Sequence, residues 1–98
     1  AAMPVRAYQA MAYDANRNVT VLFGGETTGS VALSDTWEFD GTTWTKKAPT
    51  TIPTERAGAA MVYDAGRKQV LLFGGLKPGV GMFNDLWAWD GTNWKMLY

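Results

Sequence analysis

The groups with chemistry to offer in this chain are carboxylates, guanidinium groups and indoles. There is no His and no Cys. That removes the commonest general base, the commonest metal ligand, every disulfide and all thiolate catalysis. What is left comes in matched sets: Arg6 and Asp35 recur as Arg56 and Asp85, Asp14 and Arg17 as Asp64 and Arg67, Asp40 as Asp90. Arg6 and Arg56 carry the charge to hold an anion or a carboxylate partner. Because both copies keep the combination, the stronger expectation is that they pair with Asp35 and Asp85 or hold the linking chain. The aspartates at 14, 40, 64 and 90 could gather a cation, but Asp in a turn caps backbone N–H groups, and Arg17 and Arg67 stand close in sequence as ion partners. The remaining acids are Glu26, Glu38 and Glu55. A glycosidase needs two carboxylates at a set separation with different pKa values. No such pair is legible in the linear sequence, and no catalytic residue is assigned. Trp37 and Trp87 read as core, because both copies place them on one strand face, whereas Trp89 replaces Phe39 and stays a candidate for stacking on a ring. The candidate binding residues are therefore Arg6, Tyr8, Glu26, Arg56 and Trp89, with no metal or cofactor expected.

These sets recur because the chain is written twice: Arg6 to Trp44 and Arg56 to Trp94 align without a gap at a shift of about 50 residues. Four strand signals occur in each copy. The first, Ala7 to Tyr13 and Ala57 to Tyr63, is apolar or small on both faces and predicts a strand covered on two sides. A hairpin follows at Asp14 to Arg17 and Asp64 to Arg67, where the Asn16/Gly66 exchange predicts a left-handed residue. The second strand, Val19 to Phe23 and Val70 to Phe73, is an apolar run that stops at Gly24-Gly25 and Gly74-Gly75. Glu26 to Ser34 and Leu76 to Asn84 diverge between the copies and read as loops. The third strand is Asp35 to Phe39 and Asp85 to Trp89, closed by the hairpin signals Asp40-Gly41 and Asp90-Gly91. The fourth, Thr43 to Lys47 and Asn93 to Leu97, is half polar, with Lys46, Lys47 and Lys95 placed as on a protected edge. Each copy thus reads as a four-stranded antiparallel meander whose burial falls from the first two strands to the last. Residues 1–48 hold the first unit with its N-terminal lead, and residues 49–98 hold the second, reached through the linker that carries Pro49 and Pro53. This is the wiring of propeller blades.

The combination resembles the kelch repeat. It consists of Leu22-Phe23-Gly24-Gly25, Asp35-Thr36-Trp37 and Trp44, repeated as Leu72-Phe73-Gly74-Gly75, Asp85-Leu86-Trp87 and Trp94. A Pro-x-x-Arg lead occurs at Pro53 to Arg56, and one residue shorter at Pro4-Val5-Arg6. The resemblance covers nearly the whole chain and implies an all-β fold of four-stranded blades within a propeller of six or seven. It also implies a range of roles: protein-binding platforms, glycan-binding modules and galactose-oxidase-like enzymes. Fold alone does not choose among them. Many repeats of this subtype carry His three residues after the Arg, where this chain has Gln9 and Ala59. The copper chemistry of the galactose-oxidase-like relatives needs His and a Cys–Tyr pair, so it carries over to no position here.

Composition narrows the partners. In 98 residues, nine Lys and Arg balance nine Asp and Glu, so no basic field exists to draw in nucleic acid or an anionic membrane. No apolar run approaches the roughly 20 residues of a membrane span. Asn18-Val19-Thr20 matches a glycosylation sequon, but only as a three-residue pattern. Two blades would share one interface and leave two outer faces bare. A few buried side chains at roughly 1.5–3 kcal/mol each amount to about 10 kcal/mol, the size of a small domain's whole stability. The expectation is a non-catalytic scaffold or protein-interaction unit that completes a closed ring with copies of itself, first as a trimer of six blades and second as a tetramer of eight. The alternatives are a glycan-binding lectin with sites between blades, using Trp89, Tyr8 and the residues of the divergent loops, and a fragment of a larger kelch-type enzyme. The divergent loops make one side of the ring the candidate binding face for a protein or glycan.

Overall fold

A computed structural model describes residues 3–98 of the chain. All regular structure among them is β. The first repeat forms β1 (Ala10–Asp14), β2 (Val19–Phe23), β3 (Glu26–Thr27), β4 (Val31–Ala32), β5 (Thr36–Phe39) and β6 (Trp44–Lys46). The second forms β7 (Ala60–Asp64), β8 (Gln69–Phe73), β9 (Leu76–Lys77), β10 (Gly81–Met82), β11 (Leu86–Trp89) and β12 (Trp94–Met96). Two four-stranded antiparallel sheets result, ordered β1-β2-β5-β6 and β7-β8-β11-β12. Their registers coincide one repeat apart: Met11 faces Leu22 and Leu22 faces Trp37, as Met61 faces Leu72 and Leu72 faces Trp87.

The structure departs from the sequence expectation at three points. The first strand does not run unbroken from Ala7. Ala7 bridges to Glu26, Tyr8 turns to φ 58, and the strand resumes at Ala10; in the second copy Ala57 bridges to Leu76 and Gly58 turns to φ 71. The chain changes partner there, which an alternation pattern does not register. The left-handed residue of the first hairpin is Asn18 (φ 58) or Lys68 (φ 55), not Asn16 or Gly66. Asp14 Oδ1 accepts the N–H groups of Asn16 and Arg17, both at 3.0 Å. That capping winds the turn right-handed, so the reversal comes at its last residue. The divergent loops also contain paired backbone, the short ladders β3/β4 and β9/β10.

One face of the first sheet packs on one face of the second. Ala10, Val21 and Phe23 meet Val70, Leu72, Trp89 and Trp94 in a single core. Period two turns the other residues to the opposite faces, which are covered only in part: Leu22, Trp37 and Ala88 are buried there while Met11, Val62 and Phe73 are exposed, and equivalent residues have opposite fates. Phe23 is 1% exposed and Phe73 52%. Tyr13 is exposed and Tyr63 half-buried. The expected fall in burial from first strand to last is corrected accordingly. β1 has Met11 and Tyr13 exposed, the middle strands β2 and β5 are the most enclosed of their sheet, and Trp94 on the last strand is buried. A strand of small residues (Ala10, Ala12) is covered on one side only, because only one neighbouring sheet is present.

Gly24 and Gly25 join the repeats. Both have left-handed φ (69 and 98), and a Cβ on Gly24 would lie 2.6 Å from the Arg56 carbonyl oxygen. The bare backbone lets the Gly25 N–H donate to that carbonyl at 2.9 Å.

Candidate functional site

Two kinds of site are built on this frame: the junction between the sheets and the loop side where β3/β4 and β9/β10 project. The arginines at the start of each repeat are structural at both places. Arg6 enters the first sheet beside Gly24, where its Nη1 donates to the Gly24 carbonyl at 3.1 Å and its guanidinium makes a bidentate pair with Asp35 at 2.6 and 2.8 Å. Arg56 repeats this with the Gly74 carbonyl at 3.0 Å and Asp85 at 2.5 and 2.9 Å, and lies 4.2 Å over the Phe83 ring. Both side chains are buried. Each Asp also accepts an indole N–H, Trp37 on Asp35 at 2.7 Å and Trp87 on Asp85 at 2.8 Å. Burial works against charge on Asp35, but the bonds from Arg6 and Trp37 outweigh it and hold the carboxyl below its ordinary value. At Asp85 the Arg56 bond dominates and moves the carboxyl the same way.

Trp89 is fully buried between the sheets, so its ring face is enclosed by protein. Its Nε1 donates to Glu38 Oε2 at 2.9 Å across the junction. Glu38 also takes Arg17 at 2.6 and 3.1 Å, and Arg17 Nε reaches Asp14 at 2.9 Å. Burial opposes the charge of Glu38, yet Arg17, Trp89 and Lys47 together keep its carboxyl below the ordinary range, and the bond to Glu38 raises the Arg17 guanidinium. Beside this cluster the buried Trp94 Nε1 donates to Thr36 Oγ1 at 2.9 Å. Sequence reasoning left Glu38 as an unpaired acid and missed both inter-sheet bonds. The visible signal was that Glu38 and Trp89 each break the repeat, facing Ala88 and Phe39 in the other copy.

Tyr8 and Glu26 are the two candidates that reach the surface. Tyr8 is 69% exposed in a left-handed conformation, and Glu26 is half-exposed. With Ala57, Gly58 and Leu76 they line a mainly apolar depression of about 170 Å³ where the repeats meet on the loop side. A wider hollow of about 340 Å³ lies between β6 and the linker, lined by Lys46, Lys47, Pro49 and Ile52. Glu55 pairs with Lys77 at 3.3 Å. The turn aspartates cap: Asp40 accepts the N–H groups of Thr42 and Thr43, and Asp90 those of Thr92 and Asn93. Among the described residues no group of three or more acids stands close enough to hold a metal ion. No family model matches this chain, and no curated protein matches it.

Proposed function

We propose that the chain is a non-catalytic kelch-type propeller unit that completes a closed ring with copies of itself and serves as a scaffold or protein-interaction module. The observation that carries this reading is the unequal burial of equivalent residues. Phe73 is 52% exposed and Val62 60% on one outer sheet face, with Tyr13 54% and Met11 45% on the other. A contiguous apolar surface of this kind marks an interface. The internal junction supplies the pattern of what covers each face, since one outer face is of the type that carries Phe23 and the other of the type that carries Trp89. Head-to-tail contacts of that sort close into cyclic rings. Light scattering across a dilution series tests it. The expected mass is three chains, giving six blades, with four chains and eight blades as the second outcome. A compact monomer at every concentration overturns it and turns the outer faces over to other blades of a longer protein.

A glycan-binding reading is supported by one feature, the exposed Tyr8 beside Glu26 in the loop-side depression. Arg6, Arg56 and Trp89 do not contribute to it, because their polar groups are taken up by Asp35, Asp85 and Glu38. A glycan array with no binding sugar removes it.

A further inference from the structure

The internal junction is held by backbone bonds whose counterparts on the two outer sides are unmade among the described residues. Arg56 N–H donates to the Leu33 carbonyl at 3.1 Å, Gly25 N–H to the Arg56 carbonyl at 2.9 Å, and Gly58 N–H to the Tyr8 carbonyl at 2.8 Å. One repeat on, the Phe83 carbonyl, the Gly75 N–H and the Gly58 carbonyl make no such bond among the described residues. At the other end, neither do the Arg6 N–H, the Arg6 carbonyl and the Tyr8 N–H. Tyr8 holds φ 58, the conformation its counterpart Gly58 uses at φ 71 to make its bond. A bulky residue is strained there, and such strain points to a task.

The side chains differ in a paired way. Inside the chain the buried Trp89 indole donates to Glu38. On the two outer faces Ala88 stands at the position of Glu38 and Phe39 at that of Trp89, so both halves of the polar pair are absent together. Phe39 packs on Trp44 at 5.0 Å between centroids, as Trp89 packs on Trp94 at 5.2 Å. Leu86 replaces Thr36 while Trp44 keeps its indole, so the Thr36–Trp94 bond has no counterpart across the outer faces.

Resting on the reading that copies assemble through these faces, we infer that the seam between copies repeats the register of the internal one. Arg6 and Tyr8 of one copy bond to Phe83, Gly75 and Gly58 of the next, and Ala88 meets Phe39. The two seams then carry different locks, one polar (Glu38 with Trp89) and one apolar (Ala88 with Phe39). A swapped contact would bury Glu38 against Phe39 with no indole donor, or Trp89 against Ala88 with no acceptor, and either mismatch is disfavoured. Ala88 and Phe39 are therefore specificity-determining residues for a second copy of this chain.

A double-mutant cycle on the full chain tests this. Ala88→Glu puts a carboxylate at the position of Glu38 in the second repeat, where Arg67 holds the sequence place of Arg17. It is expected to weaken self-association, read by sedimentation velocity over a dilution series, by about tenfold or more. Phe39→Trp added to it supplies the missing indole and restores association to within about threefold of the unsubstituted chain. Loss without rescue, or no loss at all, overturns the pairing. The unsubstituted chain gives an independent readout by amide hydrogen exchange: the Arg6, Tyr8 and Gly75 amides gain protection on assembly. If those amides exchange equally in dilute and assembled samples, the register is wrong even though assembly stands. If the unsubstituted chain never assembles, the parent reading falls and this one with it.

Discussion

At the scale of single residues, the informative positions are those where the two copies disagree. Glu38 is the clearest. It is a nearly buried carboxylate held by Arg17, Trp89 and, at 3.7 Å, Lys47. Glu38→Gln keeps the shape and an acceptor for the indole but removes the charge facing Arg17. The expected loss is about 1–3 kcal/mol in urea unfolding at neutral pH. The pH dependence has a defined sign. The carboxyls of Glu38, Asp35 and Asp85 all lie below their ordinary values in the folded chain. The unfolded state therefore binds more protons in acid, and these groups contribute stability above about pH 4–5 that drains away as pH falls through the lowered folded values. Unfolding curves of Glu38→Gln and the unsubstituted chain should converge as pH drops. A gap that stays constant from neutral pH into strong acid would show that Glu38 acts by shape and not by charge.

At the scale of elements, the duplication made much of the sheet order readable. Each strand could be checked against its copy, and Asp40-Gly41 with Asp90-Gly91 marked the last hairpins. The ion pairs of Arg6 and Arg56 were readable for the same reason, since a pair kept in both copies points to a shared geometric need. What stayed hidden were features that depend on a third segment. Tyr8 breaks its strand because Ala7 leaves to bridge Glu26, and Trp89 is buried because another sheet lies on it. Local alternation carries no information about either. The glycine pairs show how context separates identical sequence. Gly24 and Gly74 share φ near 70, but a Cβ would meet the Arg56 carbonyl oxygen at 2.6 Å in one and the Phe83 carbonyl oxygen at 3.3 Å in the other. Both alanine variants bear the left-handed cost of roughly 1–2 kcal/mol. Gly24→Ala must also push the second repeat's backbone away, adding about 1–2 kcal/mol. Thermal unfolding at low concentration should rank Gly24→Ala as the more damaging, and equal losses would show that the junction yields freely.

At the scale of the whole molecule, one sheet face packs on another while the two outer faces carry exposed apolar residues, so identical side chains should answer identical substitutions differently. Phe23 is enclosed, 5.3 Å from Trp94 in an edge-on pair, whereas Phe73 at the same place in the second repeat is half open to water. Phe23→Ala opens a cavity in the core between the two sheets and should cost about 3–5 kcal/mol. Phe73→Ala removes surface that is largely hydrated in the single chain, and its cost in a dilute sample should stay under about 1 kcal/mol. If copies assemble through the outer faces as proposed, the order reverses. Phe73→Ala strips apolar area from the outer face and should shift association to higher concentration while the chain remains folded. Urea titration in the dilute regime, followed by sedimentation at high concentration, reads both quantities on the same two variants. Comparable destabilisation of the dilute chain by the two substitutions would mean that the Phe73 face is already covered within one chain, and with it would go the physical reason for a ring.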